Sequence, residues 1–434
     1  MSFNAKYNSS VLLRKLLKIF FFILLFLPSS YSFAEIKPIL TIEFGGAKGG
    51  SLLVDSQDSI HVFDTSYKFR KFTKDGVLLK VWGGKGFGDG YFHKPTRVGL
   101  DSYDRIYVED YIDDSYLNKR IKIFSVDGIF LGDHSGSWPF FDKKNNSYNL
   151  IFESKFDDID SGQFNYALQK VDINSDIVKE WKLTSSWSRY YSNYFIPDWS
   201  FDSSGNAYYI DYMNFSIPVG NYNPIFKIKK LNISSDQAIS SKSSFSSLDN
   251  LGIDNRSYIY AASSNPQYDY GSYGFSSSIL MLDKELETIG RLYANNVKDF
   301  GFDRSSSIYI LLNSKIEIYS ALPTLKAPRL VSAKRLSSTK IKLVWQDRTK
   351  NETGFNIQRA EAKTDGQCSN SLNFRTVKIT KANVNSTELA LPAVPASGKK
   401  YLCYRMTALR GNDESLSSGE LGIDLKSGYV VVNE

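Results

Sequence analysis

The chain has 434 residues, of which 42% are hydrophobic, 15% aromatic and 23% charged, which is ample material for packed cores and excludes global disorder. The formal charge is +7, but four cations and no acidic residue lie in a removable-looking first 34 residues; subtracting them leaves +3, too little to argue for nucleic acid. Two cysteines and three histidines exclude a cysteine-rich zinc module.

Residues 1–34 have the three parts of an export signal. Lys6, Arg14, Lys15 and Lys18 form the basic part, Ile19 to Leu27 the apolar core, and Ser32-Phe33-Ala34 a small-residue cleavage site. The expected cut falls between Ala34 and Glu35. The core is well short of the roughly 20 residues that span a bilayer. The alternative is an uncleaved anchor extended through Val11–Leu17. No second apolar span follows, so removal of the signal leaves a chain with no membrane span and a secreted or periplasmic location, with cell-surface association open.

From residue 45 to 320 one unit recurs: an apolar residue, Asp, a short polar turn, then an alternating strand rich in Tyr. Its copies are Val54-Asp55 with Ile60-His61-Val62, Leu100-Asp101 with Ile106-Tyr107-Val108, and Phe201-Asp202 with Ala207-Tyr208-Tyr209. Ile253-Asp254 with Ile259-Tyr260 and Phe302-Asp303 with Ile308-Tyr309 follow, and Ile159-Asp160 with Phe164 and Tyr166 reads as a degenerate copy. Two further strands follow each turn, so each unit supplies four short antiparallel strands, the pattern of a β-propeller blade, six times over. The last copy lacks its fourth strand. Residues 39–46 resemble Leu78–Gly84 and are expected to supply it, closing the ring and hiding its sheet edges. The repeated Asp reads as a turn-capping group rather than a calcium ligand, because a carboxylate before a tight turn accepts backbone N–H groups. Ser234–Ser247 reads as a flexible connection.

The stretch from Gly86-Phe87-Gly88-Asp89-Gly90 through Pro95, Asp101, Ile106-Tyr107-Val108-Glu109-Asp110 and Asn118-Lys119-Arg120-Ile121 to Asp127-Gly128 resembles an NHL repeat, over residues 83–131. That resemblance implies a six-bladed propeller, of a superfamily that mostly binds proteins, glycans or RNA and includes a few hydrolases and lyases. Residues 326–422 resemble a fibronectin type III domain. The match runs from Ala327-Pro328 through Ile341–Asp347 and Asn351–Arg359 to Tyr404–Ala408 and Ser415–Ser418, with Leu402 where the corner tyrosine is expected. It implies an immunoglobulin-like β-sandwich with Leu343, Trp345, Phe355 and Ile357 facing inward. In that frame Cys403 lies on the strand beside Phe355–Arg359 and Cys368 in the loop after it. Export permits a Cys368–Cys403 disulfide, worth roughly 3–4 kcal/mol in the chain-entropy treatment. The expected fold is therefore all-β: signal peptide 1–34, six-bladed NHL-like propeller 35–322, and fibronectin type III domain 323–434 with its core at 326–422. The pairing of the two modules points to a bacterium.

Little in the chain points to catalysis. His61 falls at a tyrosine-strand position and His93 and His134 in loops, so the three are not expected to converge on a metal. No Gly-x-Ser-x-Gly elbow is present. Asp113-Asp114 and Asp157-Asp158 read as loop acids, and Gly83–Gly90 as a turn with no helix behind it. Two Tyr-bearing insertions have the composition of recognition surfaces: Tyr111–Asn118, with Tyr111 and Tyr116, and Gln267–Phe275, with Tyr268, Tyr270 and Tyr273. Trp138, Trp187 and Trp199 suit either a carbohydrate face or a blade core. The expected function is non-catalytic binding or adhesion, with a protein or glycan as partner and no cofactor. The alternative is a propeller-type hydrolase or lyase with a metal on the central axis.

Overall fold

The repeated aspartate does the same local work wherever it occurs. In Asp55, Asp101, Asp142, Asp202, Asp254 and Asp303, one carboxylate oxygen accepts the backbone N–H groups two and four residues on, at 2.8–3.0 Å. The other accepts the hydroxyl of the tyrosine six residues on (Tyr107, Tyr148, Tyr208, Tyr260 and Tyr309) at 3.2–3.3 Å. In the first copy His61 Nε2 takes the tyrosine's place, 2.9 Å from Asp55. The third turn residue is left-handed each time, at Asp58, Asp104, Asn145, Gly205, Ser257 and Ser306, with φ between +60° and +86°. Burial, and then the neighbouring Asp101 charge, pushes the Tyr107 hydroxyl up to about 12, so it stays a donor. Replacing Asp202 by Ala strands two backbone donors and the buried Tyr208 hydroxyl. The expected cost is about 2 kcal/mol or more, read from urea unfolding, with Asp202→Asn costing less because it keeps an acceptor.

The computed structural model describes residues 36–432 except 45–47, 114–117, 154–162, 187–198, 214–224, 241–247, 263–277, 363–367, 369–372, 393–400, 426–429 and positions 173, 175, 234, 236, 249, 295, 412 and 419. The export signal and its cleavage site lie outside the described residues. Among the described residues there is no helix, and the strands form six four-stranded antiparallel sheets, one three-stranded sheet and one six-stranded sheet. Sheet 1 comprises Gly49–Val54, Ile60–Asp64, Lys68–Phe72 and Leu78–Gly83; sheet 2 comprises Lys94–Leu100, Arg105–Tyr111, Lys119–Ser125 and Phe130–His134. Sheet 3 comprises Pro139–Phe141, Ser147–Glu153, Gln163–Val171 and Ile177–Ser186; sheet 4 comprises Trp199–Phe201, Ala207–Met213, Ile225–Asn232 and Gln237–Ser240. Sheet 5 comprises Asn250–Ile253, Ile259–Ala262, Ser278–Leu282 and Thr288–Tyr293. Sheet 6 comprises Asp299–Phe302, Ile308–Leu311, Lys315–Tyr319 and, from the other end of the chain, Leu40–Glu43.

The first strands touch between sheets 1 and 2, 3 and 4, 4 and 5, and 5 and 6, and that of sheet 6 returns to that of sheet 1, an arrangement of the propeller type. Between sheets 2 and 3 the contact is made by Trp138 against Gly99 and by the Tyr107 and Phe141 rings, 4.9 Å apart. Close approach explains the glycine two residues before several of the aspartates. A Cβ on Gly301 would lie 2.9 Å from Leu52 in sheet 1, and one on Gly252 would lie 2.8 Å from Phe300 in sheet 6. The turns are also bonded to one another: Ser56 donates to Asp104, Ser102 to Asn145, and Arg304 to Asp58, which joins the last turn to the first. Lys143 reaches from the third turn to the fifth, where Asn255 Oδ1 lies 2.7 Å from its ammonium.

Two expectations need correcting. The aspartate turn of the third sheet is Asp142 with Tyr148, not Asp160 with Tyr166. Asp160 is outside the described residues, and Phe164 and Tyr166 lie on the third strand of that sheet. Both pairs have the same six-residue spacing. Only the pairing of Pro139–Phe141 with Ser147–Asn149 distinguishes them. Second, Gln237–Ser240, inside the serine-rich stretch, is the fourth strand of sheet 4, because Ala238 and Ile239 pair with Leu231 and Lys230.

Residues 329–432 form the remaining two sheets. Arg329–Arg335, Lys340–Gln346 and Ser386–Ala390 make one; Arg375–Lys381, Gly354–Ala362, Tyr401–Arg410, Leu421–Asp424 and Val430–Val432, with the short Asp413–Glu414, make the other. Leu343 and Trp345 of the first share a core with Phe355, Ile357, Leu402, Tyr404, Met406 and Ala408 of the second. Cys368 and Cys403 form a disulfide with Cα atoms 5.5 Å apart. This pair of sheets packs on the outer strand of sheet 5. Arg291 N donates to Ser417 O at 3.1 Å, Ala327 N to Ile289 O, and the Tyr293 hydroxyl to Ser418 O at 3.1 Å.

Candidate functional site

A cavity of about 550 Å³ opens between sheets 2 and 3, within the roughly 300–1,000 Å³ typical of ligand pockets. Its charged lining comes from three adjacent strands of sheet 2: Arg97 from the first, Glu109 from the second, Lys119 and Arg120 from the third. The cross-strand register puts Arg97, Glu109, Lys119 and Ile121 on one face of sheet 2, and Ile121 with Phe140 and Leu150 of sheet 3 supplies the apolar part of the lining. The far wall is the connection His134–Trp138 between the two sheets.

The polar groups are fixed. Glu109 accepts the Thr96 hydroxyl at 2.6 Å and lies 3.3 Å from the Lys119 ammonium. Lys119 in turn sits 5.1 Å above the Tyr111 ring. Arg120 is held by Asp133 at 2.6 Å and Asp89 at 2.8 Å, hydrogen bonds that outweigh desolvation and raise its pKa. Burial lowers the His134 pKa, so the imidazole favours its neutral form. Trp138 lies against Gly99, where a Cβ would come within 3.0 Å of the indole, and the Arg97 guanidinium lies 5.9 Å from that ring.

Beneath the pocket a buried ion pair stiffens sheet 2. Asp110 accepts the backbone N–H groups of His93 and Lys94 and pairs with Lys122 at 3.1 Å. Lys122 also donates to Tyr91 O and Gly88 O, so the glycine-rich loop before the first strand is tied to the sheet. The same position nine residues after the turn aspartate is used in sheets 1 and 4, as Asp64–Arg70 at 2.9 Å and Asp211–Lys229 at 2.6 Å.

Of the residues singled out in the sequence, Tyr111 stands beside this pocket through Lys119, and Trp138 lines it. Trp199 is a core residue stacked on Tyr209. Tyr116, Tyr268, Tyr270, Tyr273 and Trp187 lie outside the described residues. His61 is buried against Asp55 and the His93 ring stacks on Phe87, while His134 lines the pocket. Among the described residues no three His, Cys, Asp or Glu side chains are grouped to hold a metal, and no helix is long and apolar enough to cross a membrane. In the sequence Glu109, Lys119 and Arg120 stand only as parts of the repeat-like stretch over residues 83–131, which also contains Arg97, and nothing marks them as a site. Their only sequence signal is the density of charge at the ends of strands flanking the Tyr111–Asn118 insertion.

No family model matches the chain, and no curated protein matches it. Solved structures do. One is the extracellular domain described as part of a one-component system of B. thetaiotaomicron, 11% identical with a TM-score of 0.37, the match covering 88% of this chain and 59% of that one. Another is the WD40 β-propeller domain of Doa1, 10% identical with a TM-score of 0.35, covering 65% of this chain and 96% of that one. A third is the extracellular domain described as part of a hybrid two-component system of B. thetaiotaomicron, 11% identical with a TM-score of 0.31, covering 86% of this chain and 55% of that one. The match thus spans less than two thirds of each of the two bacterial domains.

Proposed function

We propose that this chain is an exported, non-catalytic binding protein whose six-bladed NHL-like propeller, residues 35–322, presents the pocket between its second and third blades to a protein or glycan partner. Residues 323–434 are a fibronectin type III module that holds the propeller as a spacer. One observation carries the reading. The pocket is walled by groups already locked into ion pairs and hydrogen bonds around a half-buried tryptophan, which is the construction of a preformed recognition site. Removal of the signal leaves this molecule outside the cytoplasm, beginning at Glu35.

The test uses the mature chain, residues 35–434, beside its Trp138→Ala variant, screened against immobilised glycans and against proteins of the producing cell envelope. A partner held by the mature chain and lost at least tenfold by the variant is expected. Partners that bind both equally, or no partner at all, overturn the reading. Elemental analysis with a thermal melt in chelator checks the hydrolase or lyase alternative. The expected melt is unchanged, and a stoichiometric metal whose removal lowers it favours the alternative.

A further inference from the structure

We infer that the C-terminal pair of sheets docks on a bilayer rich in anionic phospholipid, with Lys334, Lys340, Lys342 and Lys378 on the headgroup phosphates and Leu336 in the interface. This surface is separate from the pocket between sheets 2 and 3. Charge is divided unevenly along the chain. Residues 323–434 hold 18 Lys and Arg against 10 Asp and Glu, a net +8, whereas residues 35–322 hold 31 against 36, a net −5. Part of the excess gathers on one face. Lys340 and Lys342 alternate with buried Ile341 and Leu343, so both stand on the solvent face of the three-stranded sheet. Lys334 lies directly opposite Lys342, a like-charge arrangement that costs stability on its own. Lys378, from the edge of the other sheet, donates to two neutral acceptors, Thr387 Oγ1 at 2.6 Å and Glu388 O at 3.2 Å. Among the described residues the one carboxylate paired with any of these four lysines is Glu388, exposed and 3.3 Å from Lys340, and Lys334 and Lys342 have no ion-pair partner. Arg359 and Arg375 stand opposite each other on the second sheet, and Arg359 reaches the oxygen of Ala390, the cross-strand neighbour of Lys340, so the positive surface continues round the edge. Glu361 and Asp424, at strand ends of that sheet, already have partners.

Position and shape select the partner. Ala327, before the first strand of the three-stranded sheet, and Arg348, after the second, hold sheet 5. The hairpin tip Leu336–Thr339 joins the same two strands at their other ends, roughly 20 Å away at the rise of a strand. The lysines and the tip therefore lie toward the end remote from the propeller, and the opposite charges of the two parts turn the propeller away from a negative surface. A sheet face is an open platform rather than a groove, and it suits a planar array of charge. The tip adds an apolar side chain: Leu336 is 43% exposed and its N–H donates to Lys340 O at 2.9 Å. Cations around an apolar tip are the pattern of an interfacial contact. A soluble polyanion would leave that leucine in water. A single-stranded nucleic acid is held by aromatic stacking, which the outward-facing Ser332, Val344 and Ser386 do not offer.

Vesicle flotation of the mature chain tests this, with mixed phosphatidylglycerol and phosphatidylcholine vesicles beside phosphatidylcholine alone. Partition onto the anionic vesicles is expected to be tenfold or more stronger and to fall as salt rises. Each lysine near a negative surface is worth about fivefold. Lys334→Glu/Lys342→Glu should therefore cost at least tenfold, and the same charge change on the propeller, Lys74→Glu/Lys144→Glu, much less. Should the reversal fail to fold, Lys334→Gln/Lys342→Gln takes its place. Leu336→Trp should add a blue-shifted emission, absent from the parent, on anionic vesicles and not on zwitterionic ones. Equal binding to both vesicles, no binding, or equal losses in the two reversals overturns the inference. So does a soluble polyphosphate held as tightly as the vesicles with no shift in Leu336→Trp. Salt-sensitive self-association that needs Lys334 and Lys342 also overturns it, because the acidic propeller of a second copy would then occupy the face.

Discussion

Removing residues 35–46 should cost the protein about 5 kcal/mol or more, a large share of the 5–15 kcal/mol that stabilises a typical domain. Leu40–Glu43 forms the outer strand of sheet 6, in register with Lys315–Ile318, and places Leu40 opposite Ile318 and Ile42 opposite Ile316. Ile42 and Phe44 are buried in a core shared with Leu52, Ile60, Val62 and Phe72 of sheet 1. Losing two such side chains forfeits about 1.5–3 kcal/mol each, and the strand's backbone hydrogen bonds go with them. Ile42 also reaches the turn of sheet 1, where a Cβ on Gly76 would stand 2.9 Å from it. The truncated chain exposes the edge Lys315–Tyr319, a template for pairing with other chains. A lowered urea midpoint and concentration-dependent aggregation are the expected readouts. Ile42→Ala is a milder version, at roughly 2–5 kcal/mol. An unchanged midpoint would mean that sheet 6 stands on three strands.

That strand is legible in the sequence because residues 39–46 repeat the pattern of Leu78–Gly84, and the strand from Leu78 is itself the outer strand of its sheet. The aspartate turn is legible for a similar reason. The carboxylate, its backbone donors and the tyrosine that completes it lie within seven residues, so one short window holds the whole device. Where the window is ambiguous the reading slips. Asp142–Tyr148 and Asp160–Tyr166 have the same spacing, and strand pairing, which is not local, selects the first. The pocket is harder still. Arg97 and Leu150 are far apart in sequence and meet only because two sheets stand side by side. Each residue is unremarkable alone: a charge at a strand end, an apolar floor residue, a tryptophan in a connection. Tyr111 stands out in the sequence because an insertion announces itself by composition, whereas Glu109 and Lys119, which pair in the pocket lining, carry no such mark.

Stability should also fall by up to roughly 3 kcal/mol as pH rises from about 4.5 to about 7, because of one carboxyl group at the junction of sheet 5 and the sheets that follow. Glu420 is buried there, and burial pushes it up to about 7 from an ordinary 4.5, although the Arg405 and Arg291 charges pull the other way. The junction is tight. A Cβ on Gly290 would stand 2.3 Å from Leu416, the Tyr293 hydroxyl donates to Ser418 O, and the Arg405 guanidinium is drawn aside to Gln358 and the Phe374 ring. Below pH 4.5 the group holds its proton in both the folded and the unfolded chain. Between 4.5 and 7 the folded chain keeps a proton that the unfolded chain has released, so stability declines with pH; above 7 the loss is complete. Other groups oppose this trend. His134, whose half-buried ring resists protonation, contributes stability that is lost as pH falls through the same window. Asp55 acts at lower pH: burial raises it, but hydrogen bonds from His61 and the Ser59 and Gln57 backbone, with the His61 charge, outweigh that, so its contribution is lost only as acid protonates it. Glu420→Gln isolates the carboxyl. The variant should match the parent near pH 4 and exceed it near pH 8, the gap in urea-derived stability opening between them. Identical profiles for the two proteins would show that Glu420 is ionised and solvated, and that the junction is open to water.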